Sequence, residues 1–497
     1  AAAAEVKPAT LFSDHMVLQS GRAVPIWGTA APGEVVKVIF NGKTSKATAG
    51  ADGRWRMRLK KLKAGGPYEM RIEGQNSLVI HDVLVGEVWV GSGQSNMAFT
   101  VSKKAAYYAG ILDEEKEIAA ANYPNLRMFT VKEAKSYTPE AEVKGEWKIC
   151  SPETVPGFSA VGYLFARDLQ QRLKVPVGIV TVAYGASTAE AWVPREAIAA
   201  DPRMKPALDR FDAQENFFKT HPGASSAEAP RGPQTLNGRS PKPGPLRDPA
   251  EDQHEPTVLF NGMLHPVIPY AIRGVIWYQG ESIVDGKAGL ALYPHTMETL
   301  VRAWRTLWGE GDFPFYAVQL PALKNVSNNP LVREGQAQIL TLPHTGLAVT
   351  IDVGDPDNVH PKNKVPVGER LALIALANAY GKKLEYAGPR YRSMKVEGSA
   401  IRIHFTHADG LTAKDGPLKW FQIAGADQQF VDAEATIDGD SVVVKSVKVA
   451  APVAVRYAWA DYPIGCNLFN AAGLSAAPFR TDSWDAMTEV AKEFIGK

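Results

Sequence analysis

Apolar and polar positions follow two different rhythms along the chain. Residues 5 to 85 carry short apolar runs, LFSDHMVLQ, VPIWG, VVKVIFNGK, ADGRWRMRL and PYEMRIEG, broken by Asn-Gly and Asp-Gly pairs that accept the positive φ of hairpin turns. They predict an N-terminal β-sandwich-like module over 1–85. From about 86 the runs VGEVWVG, VGIVTVAYG, RGVIWYQG, FPFYAVQL and TGLAVTIDVG are continuous and β-branched or aromatic, as in strands buried on both faces. Between them AVGYLFARDLQQRL aligns Val161, Leu164, Phe165 and Leu169, TMETLVRAWRTLWG aligns Leu300, Trp304 and Leu307, and ERLALIALANAYG ends on Gly381 as a C-cap. Strand alternating with helix predicts an α/β fold, a parallel sheet within a three-layer α/β/α core over 86–394. Residues 221–256 have no period and are rich in Pro, Gly and Ser, which predicts an insertion in that core. β patterning returns in SAIRIHFTHADG, WFQIAG, QQFVDAEATIDGDSVVVKS and APVAVRYAWA, a second β-rich, sandwich-like module over 395–497.

Composition narrows the classes. A chain of 497 residues that is 45% hydrophobic and 22% charged can bury several cores. Its formal net charge of +2 gives no bias toward nucleic acid, and no apolar run approaches the roughly 20 residues of a membrane span. Cys150 and Cys466 are too few for a disulfide scaffold or a zinc ribbon and are expected as two unrelated buried thiols. The opening AAAAEV reads as what signal-peptide cleavage leaves, so a secreted or periplasmic location is expected.

In an open parallel sheet the ligand site lies beyond the carboxyl ends of the strands. Gly93-Gln94-Ser95, Gly185-Ala186-Ser187, Gln279-Gly280-Glu281 and Asp357-Asn358-Val359-His360 all follow strands. They suit acyl transfer: Ser95 as nucleophile, His360 as its base, and Asp357 to orient the imidazole. The spacing of Asp357 and His360 allows both onto one side of a helical turn. Backbone N–H groups of Ser95 and Gly185 and the Gln279 amide are the expected oxyanion donors. Gln94, Glu281 and Arg195 are candidates for holding substrate. Trp192 and Tyr184 fit either stacking on a ligand ring or core packing.

Plainer readings compete. Ser95 could be a helix N-cap, and Asp352 and Asp355 compete with Asp357. Gly91-x-Gly93 begins a dinucleotide fingerprint, but Asn96 stands at its third glycine and no phosphate-loop Gly-Lys-Ser follows. His404 and His407 of HFTH point to opposite faces of a strand, so no metal site is expected, and no cofactor.

The order Ser, Gly, amide, Asp-x-x-His resembles the SGNH (GDSL-like) hydrolase superfamily. LFSDHMVLQ, VGEVWVGSGQSNM, GASTAEAWVP, FNGMLHPVIPYAIRGVIWYQGES and DVGDPDNVHPKNKVPVGERLA are similar to the bacterial sialate O-acetylesterase family. That resemblance implies a serine esterase removing acetyl groups from sugars through an acetyl-enzyme, with O-acetylated sialic acid as the substrate and Arg195 as the candidate cation for its carboxylate. The superfamily's GDS box is GQS here, and Gln279-Gly280-Glu281 stands where Gly-x-Asn-Asp is usual. Acetyl-xylan or another plant polysaccharide is the alternative substrate, and a carbohydrate-binding protein without catalysis is the alternative class.

Overall fold

A computed structural model describes residues 5–105, 108–230, 245–283, 287–324, 326, 328–484 and 486, with the side chains of 283, 287 and 288 also outside the description. Two compact units emerge. The first takes its described residues from 5–230, 245–279 and 298–315, the second from 280–297 and 316–486.

The first unit is organised on one long strand, Ser77–Gly93. Its first half pairs antiparallel with Gly65–Glu73 and, at Leu84–Gly86, parallel with Val17–Gln19. Its second half pairs parallel with Val177–Ala183 and with Gly274–Tyr278. Beyond Val177–Ala183 come Tyr123–Thr130, parallel, and Trp147–Cys150, antiparallel at the edge. The strands of the apolar runs thus pair parallel as predicted, and the edge strand Trp147–Cys150 and the module strand Gly65–Glu73 make the sheet as a whole mixed. Position 85 lies inside the long strand, so no linker sets off the N-terminal module: one strand serves both layers.

That module also holds the sheet Lys7–Pro8, Val24–Thr29 and Arg54–Leu59. Its Asn-Gly signal forms the hairpin joining Val35–Phe40 to Lys43–Thr48, with φ of +47° at Asn41 and +70° at Gly42. Where the long strand passes from module to core it carries a buried acid, Glu87, and the charge is answered locally. Arg273 Nε reaches it at 2.6 Å, Ser20 Oγ at 2.7 Å and Gln19 Nε2 at 3.3 Å.

Helix Ala160–Leu173 starts at Ser159, whose hydroxyl accepts the Gly162 N–H, and buries Val161, Leu164, Phe165 and Leu169 as the stripe predicts. In helix Lys287–Trp308 the stripe shifts: Leu300 and Trp304 are buried but Leu307 is 45% exposed, and Trp308 is buried in its place. Trp308 is held by its indole N–H, which donates to the Tyr270 carbonyl at 2.9 Å. Of the expected insertion, residues 231–244 lie outside the described residues. Its two described ends meet where Leu246 N–H donates to Ala224 O, and Arg210 beneath them forms a buried two-pronged pair with Glu255.

In the second unit, strands Phe315–Val318 (from Tyr316 onward) and Thr345–Ala348 are hydrogen-bonded neighbours. Helix Val365–Asn378 follows, and Gly381 at φ +64° closes its end, with Lys382 N–H on Leu376 O. The β-rich remainder begins with Arg390–Glu397, so position 395 falls inside a strand. Strand Ala400–Thr406 alternates strictly, burying Ile401, Ile403 and Phe405. With Val442 and Val444 they pack on Ile423, Val455 and Tyr457 of a second four-stranded sheet, and the same core takes in Ala322, Val349 and Ile351. His404 lies on the strand, whereas His407 leaves it at φ +57° and pairs with Glu385 at 2.8 Å. Cys150 and Cys466 are free buried thiols, each pushed up to about 12 by burial. No helix among the described residues is long and apolar enough to cross a membrane.

One arginine ties the α/β part of this unit to its β-rich part. Arg333, on helix Asn329–Ala337, is fully buried and donates to the carbonyls of Leu320, Pro321, Ala460 and Asp461 at 2.7–2.9 Å. Arg333→Met fills similar space but takes a donor from all four acceptors, of which Asp461 O keeps the Leu323 N–H. Since each unsatisfied buried polar group costs about 1–3 kcal/mol before relaxation, we expect a loss of about 3–5 kcal/mol in unfolding free energy, read from urea melts.

Candidate active site

The long strand ends in VGSGQSNM, and its last residue makes the closest backbone approach of the site. At position 93 φ is +133°, and a Cβ there would stand 2.1 Å from the Tyr278 carbonyl oxygen, so only glycine fits. The same carbonyl accepts the Gln94 N–H at 2.9 Å, while Gly93 O accepts the Tyr184 N–H at 3.1 Å. The turn is thus strung between the ends of the two parallel strands that flank it. Ser95 opens the short helical turn Ser95–Ala98, and Gln94 occupies the N-cap position, so Ser95 is not the cap. Ser159, the cap of helix Ala160–Leu173, also donates to Met97 O at 2.6 Å and fixes the far end of the turn.

Gly185 follows the neighbouring strand, and a Cβ on it would lie 3.8 Å from that of Ser95. Gln279 follows the strand on the other side. It is fully buried, and its Nε2 donates to the Ser187 carbonyl at 3.2 Å, which pins the 185–188 loop. The structure therefore brings Ser95, Gly185 and Gln279 to adjoining strand ends of the first unit. Gln94 is buried and braces the turn through its backbone. Trp192 is core: it is fully buried, packs edge-on against Trp277 and donates to Ser187 Oγ at 3.0 Å.

Arg195 is spent elsewhere. Its two terminal nitrogens clasp Asp212 at 2.8 and 2.6 Å and its guanidinium lies 4.9 Å from the Tyr137 ring centre. A planar fork so occupied has little left for a substrate carboxylate. One buried acid of this loop escaped the sequence reading. Glu190 is pushed up to about 7 by burial, against hydrogen bonds from its own N–H and Thr188, and its Oε1 has no hydrogen-bond partner among the described residues.

The second unit holds His360, Asp357 and Glu281. Residues 355–360 form bends rather than a helical turn, which corrects the geometry expected from the spacing. Pro356 and Pro361 explain it, since each biases the residue before it away from helix. Short loops close instead: Asp355 accepts the Asp357 N–H at 3.0 Å and Asn358 accepts the His360 N–H at 2.9 Å. Asp357 is exposed, and the shift of the His360 ring comes from other causes.

What does act on the ring is Lys364. Burial first, and the Lys364 charge second, hold His360 down to about 4. Lys364 is itself fully buried just ahead of helix Val365–Asn378 and is held down to about 7 by that burial, with the Glu281 carboxylate opposing the shift. Glu281 is thus a counter-charge to Lys364. A lysine wedged before an apolar helix start, KVPVG, was the available signal for it.

A carbohydrate acetylesterase from Xanthomonas citri, solved as a crystal structure, matches at 36% identity and a TM-score of 0.82, over 96% of this chain and 100% of that one. The chain belongs to the sialate O-acetylesterase family of carbohydrate esterases. Residues 259–377 match the family model described as carbohydrate esterase, sialic acid-specific acetylesterase. The mouse sialate O-acetylesterase is 29% identical over 95% of this chain and 93% of its own, and the human protein 28% over 95% and 91%. The protein is a carboxylic ester hydrolase, with an SGNH-type α/β core flanked by β-rich modules.

Within this esterase the pKa directions give a direct expectation. Because His360 is depressed, its imidazole stays neutral above about pH 4. Titrating the ring by NMR should give a midpoint near that value, and Lys364→Met should move it upward without restoring the ordinary value, since burial remains.

Proposed function

We propose that the esterase removes O-acetyl groups from sialic acids through an acetyl-enzyme on Ser95. In this reading Ser95 Oγ attacks the acetyl carbonyl carbon and His360 takes the hydroxyl proton. The sugar oxygen then leaves with that proton, and water, deprotonated by His360, releases acetate. Backbone N–H groups of Ser95 and Gly185 and the Gln279 amide face the oxyanion in this reading, and the bond from Gln279 Nε2 to Ser187 O fixes the orientation of that amide. The observation that carries the proposal is the Gly93–Ser95 turn under the Tyr278 carbonyl with Gly185 beside the serine, a rigid seat for a nucleophile. The sialic acid-specific description of the matching family model supports the substrate.

A neutral His360 is the protonation state a general base needs, so burial prepares it. Asp357 enters only when the ring becomes imidazolium: catalytic hydrogen bonds that are open in a free enzyme often close in the transition state. Ser95→Ala should cut kcat roughly 10,000-fold or more. Asp357→Asn should cut it by roughly 100- to 10,000-fold while leaving the acid limb of kcat/KM, which reports the free enzyme, in place. Acetate release from O-acetylated sialic acids should exceed that from acetylated xylan and mannan. Equal rates across the three would remove the sialate assignment, and an unchanged Ser95→Ala enzyme would remove the serine mechanism.

A further inference from the structure

A sialic acid carries a carboxylate, and Arg195, the cation expected to meet it, is bound to Asp212. The same network presents another. Lys135 lies in the segment 134–137, which is fixed from below: Asn261 Nδ2 donates to the carbonyls of Ser136 and Tyr137, Ser136 N–H reaches Val258 O, and Tyr137 Oη donates to Asp212. Gly262 comes so close that a Cβ on it would stand 2.7 Å from Ala134 O. Asn261 and Gly262 belong to the π-helical turn Phe260–Leu264, so the FNGML motif builds this platform.

On it the Lys135 ammonium is set 3.1 Å from Tyr184 Oη and 5.2 Å from the centre of that ring. Tyr184 directly precedes Gly185, the residue packed beside Ser95, and its own N–H is held by Gly93 O. One tyrosine side chain therefore separates the cation from the proposed oxyanion loop, a span suited to one sugar ring. Glu251, 66% exposed, touches the ammonium at 3.4 Å. Only the Glu251 side of this pair is exposed, Lys135 being 16% exposed, so Glu251 can turn out to water and a substrate carboxylate can take its place on the ammonium. Burial lowers the lysine pKa, but Tyr184 and Glu251 outweigh it and keep the group charged.

We propose that Lys135, steadied by Tyr184, is the cation that recognises the substrate carboxylate and gives the esterase its preference for acidic over neutral acetylated sugars. The inference rests on the sialate reading above. Its test compares kcat/KM for an O-acetylated sialic acid and for the methyl ester of the same sugar, in which the carboxylate is masked. The wild-type enzyme should prefer the free acid, and Lys135→Gln should reduce that preference about tenfold, through KM, as expected for loss of one charged hydrogen bond. Lys135→Arg should restore part of it, and Glu251→Gln should increase it by removing the competing carboxylate. Lys135→Gln with an undiminished preference, or a wild-type enzyme that treats acid and methyl ester alike, overturns the inference and leaves sialate deacetylation standing. A wild-type enzyme that releases no acetate from sialates while deacetylating neutral sugars overturns the substrate reading itself.

Discussion

The contact between the backbone of Gly93 and the carbonyl of Tyr278 fixes the geometry on which the rest of the first unit depends. Ser77–Gly93 pairs with strands of the N-terminal module along one half and with the core strands along the other, so any slip of register would displace both layers. The slip is stopped at its end. Tyr278 O accepts Gln94 N–H and leaves no room for a Cβ at position 93, so the turn leaves the strand at one point and in one direction. Ser95 takes its position from that exit, and Gly185 and Gln279 take theirs from the two strands that hold it.

Buried charge is concentrated where precision is needed. Glu87 is matched by Arg273, Ser20 and Gln19 at the crossing from module to core, and Arg333 by four carbonyls. These groups are fully answered and serve position. Lys364 and Glu190 are different in kind, because burial holds them near neutrality, at about 7 each. Groups poised in this way cluster at functional sites, and each lies near a loop that the proposed mechanism engages.

Much of this was legible in the sequence because it depends on local chemistry. The hairpin at Asn41-Gly42, the cap at Ser159 and the apolar strand VGIVTVA follow from φ preference, a capping hydroxyl and continuous burial. So did the ordering of Ser95, Gly185 and Gln279 at strand ends. What escaped was decided at long range. Leu307 and Trp308 are adjacent and both apolar, and only the distant Tyr270 carbonyl selects the tryptophan. Arg195 looked available until Asp212 and Tyr137 were brought to it by the fold. Lys135 gives no local sign of its setting, because its platform is built by residues 258–262. Asp357 and His360 failed the helical expectation for a local reason, the flanking prolines, which spacing alone overlooks.

That burial and Lys364, and not Asp357, set the resting state of His360 has a physical logic of its own. A carboxylate held permanently on an imidazole raises the ring pKa, whereas burial and Lys364 lower it here. With the carboxylate in water, the ring remains neutral and able to accept a proton across the ordinary pH range. In the proposed mechanism, once the ring has taken the serine proton, the same burial that favoured the neutral form makes imidazolium costly, and attraction to Asp357 grows with the charge. An acid that engages only then stabilises the charged intermediate without having stabilised the resting base against it. Such an interaction, stronger in the transition state than in the ground state, is the kind that accelerates the chemical step.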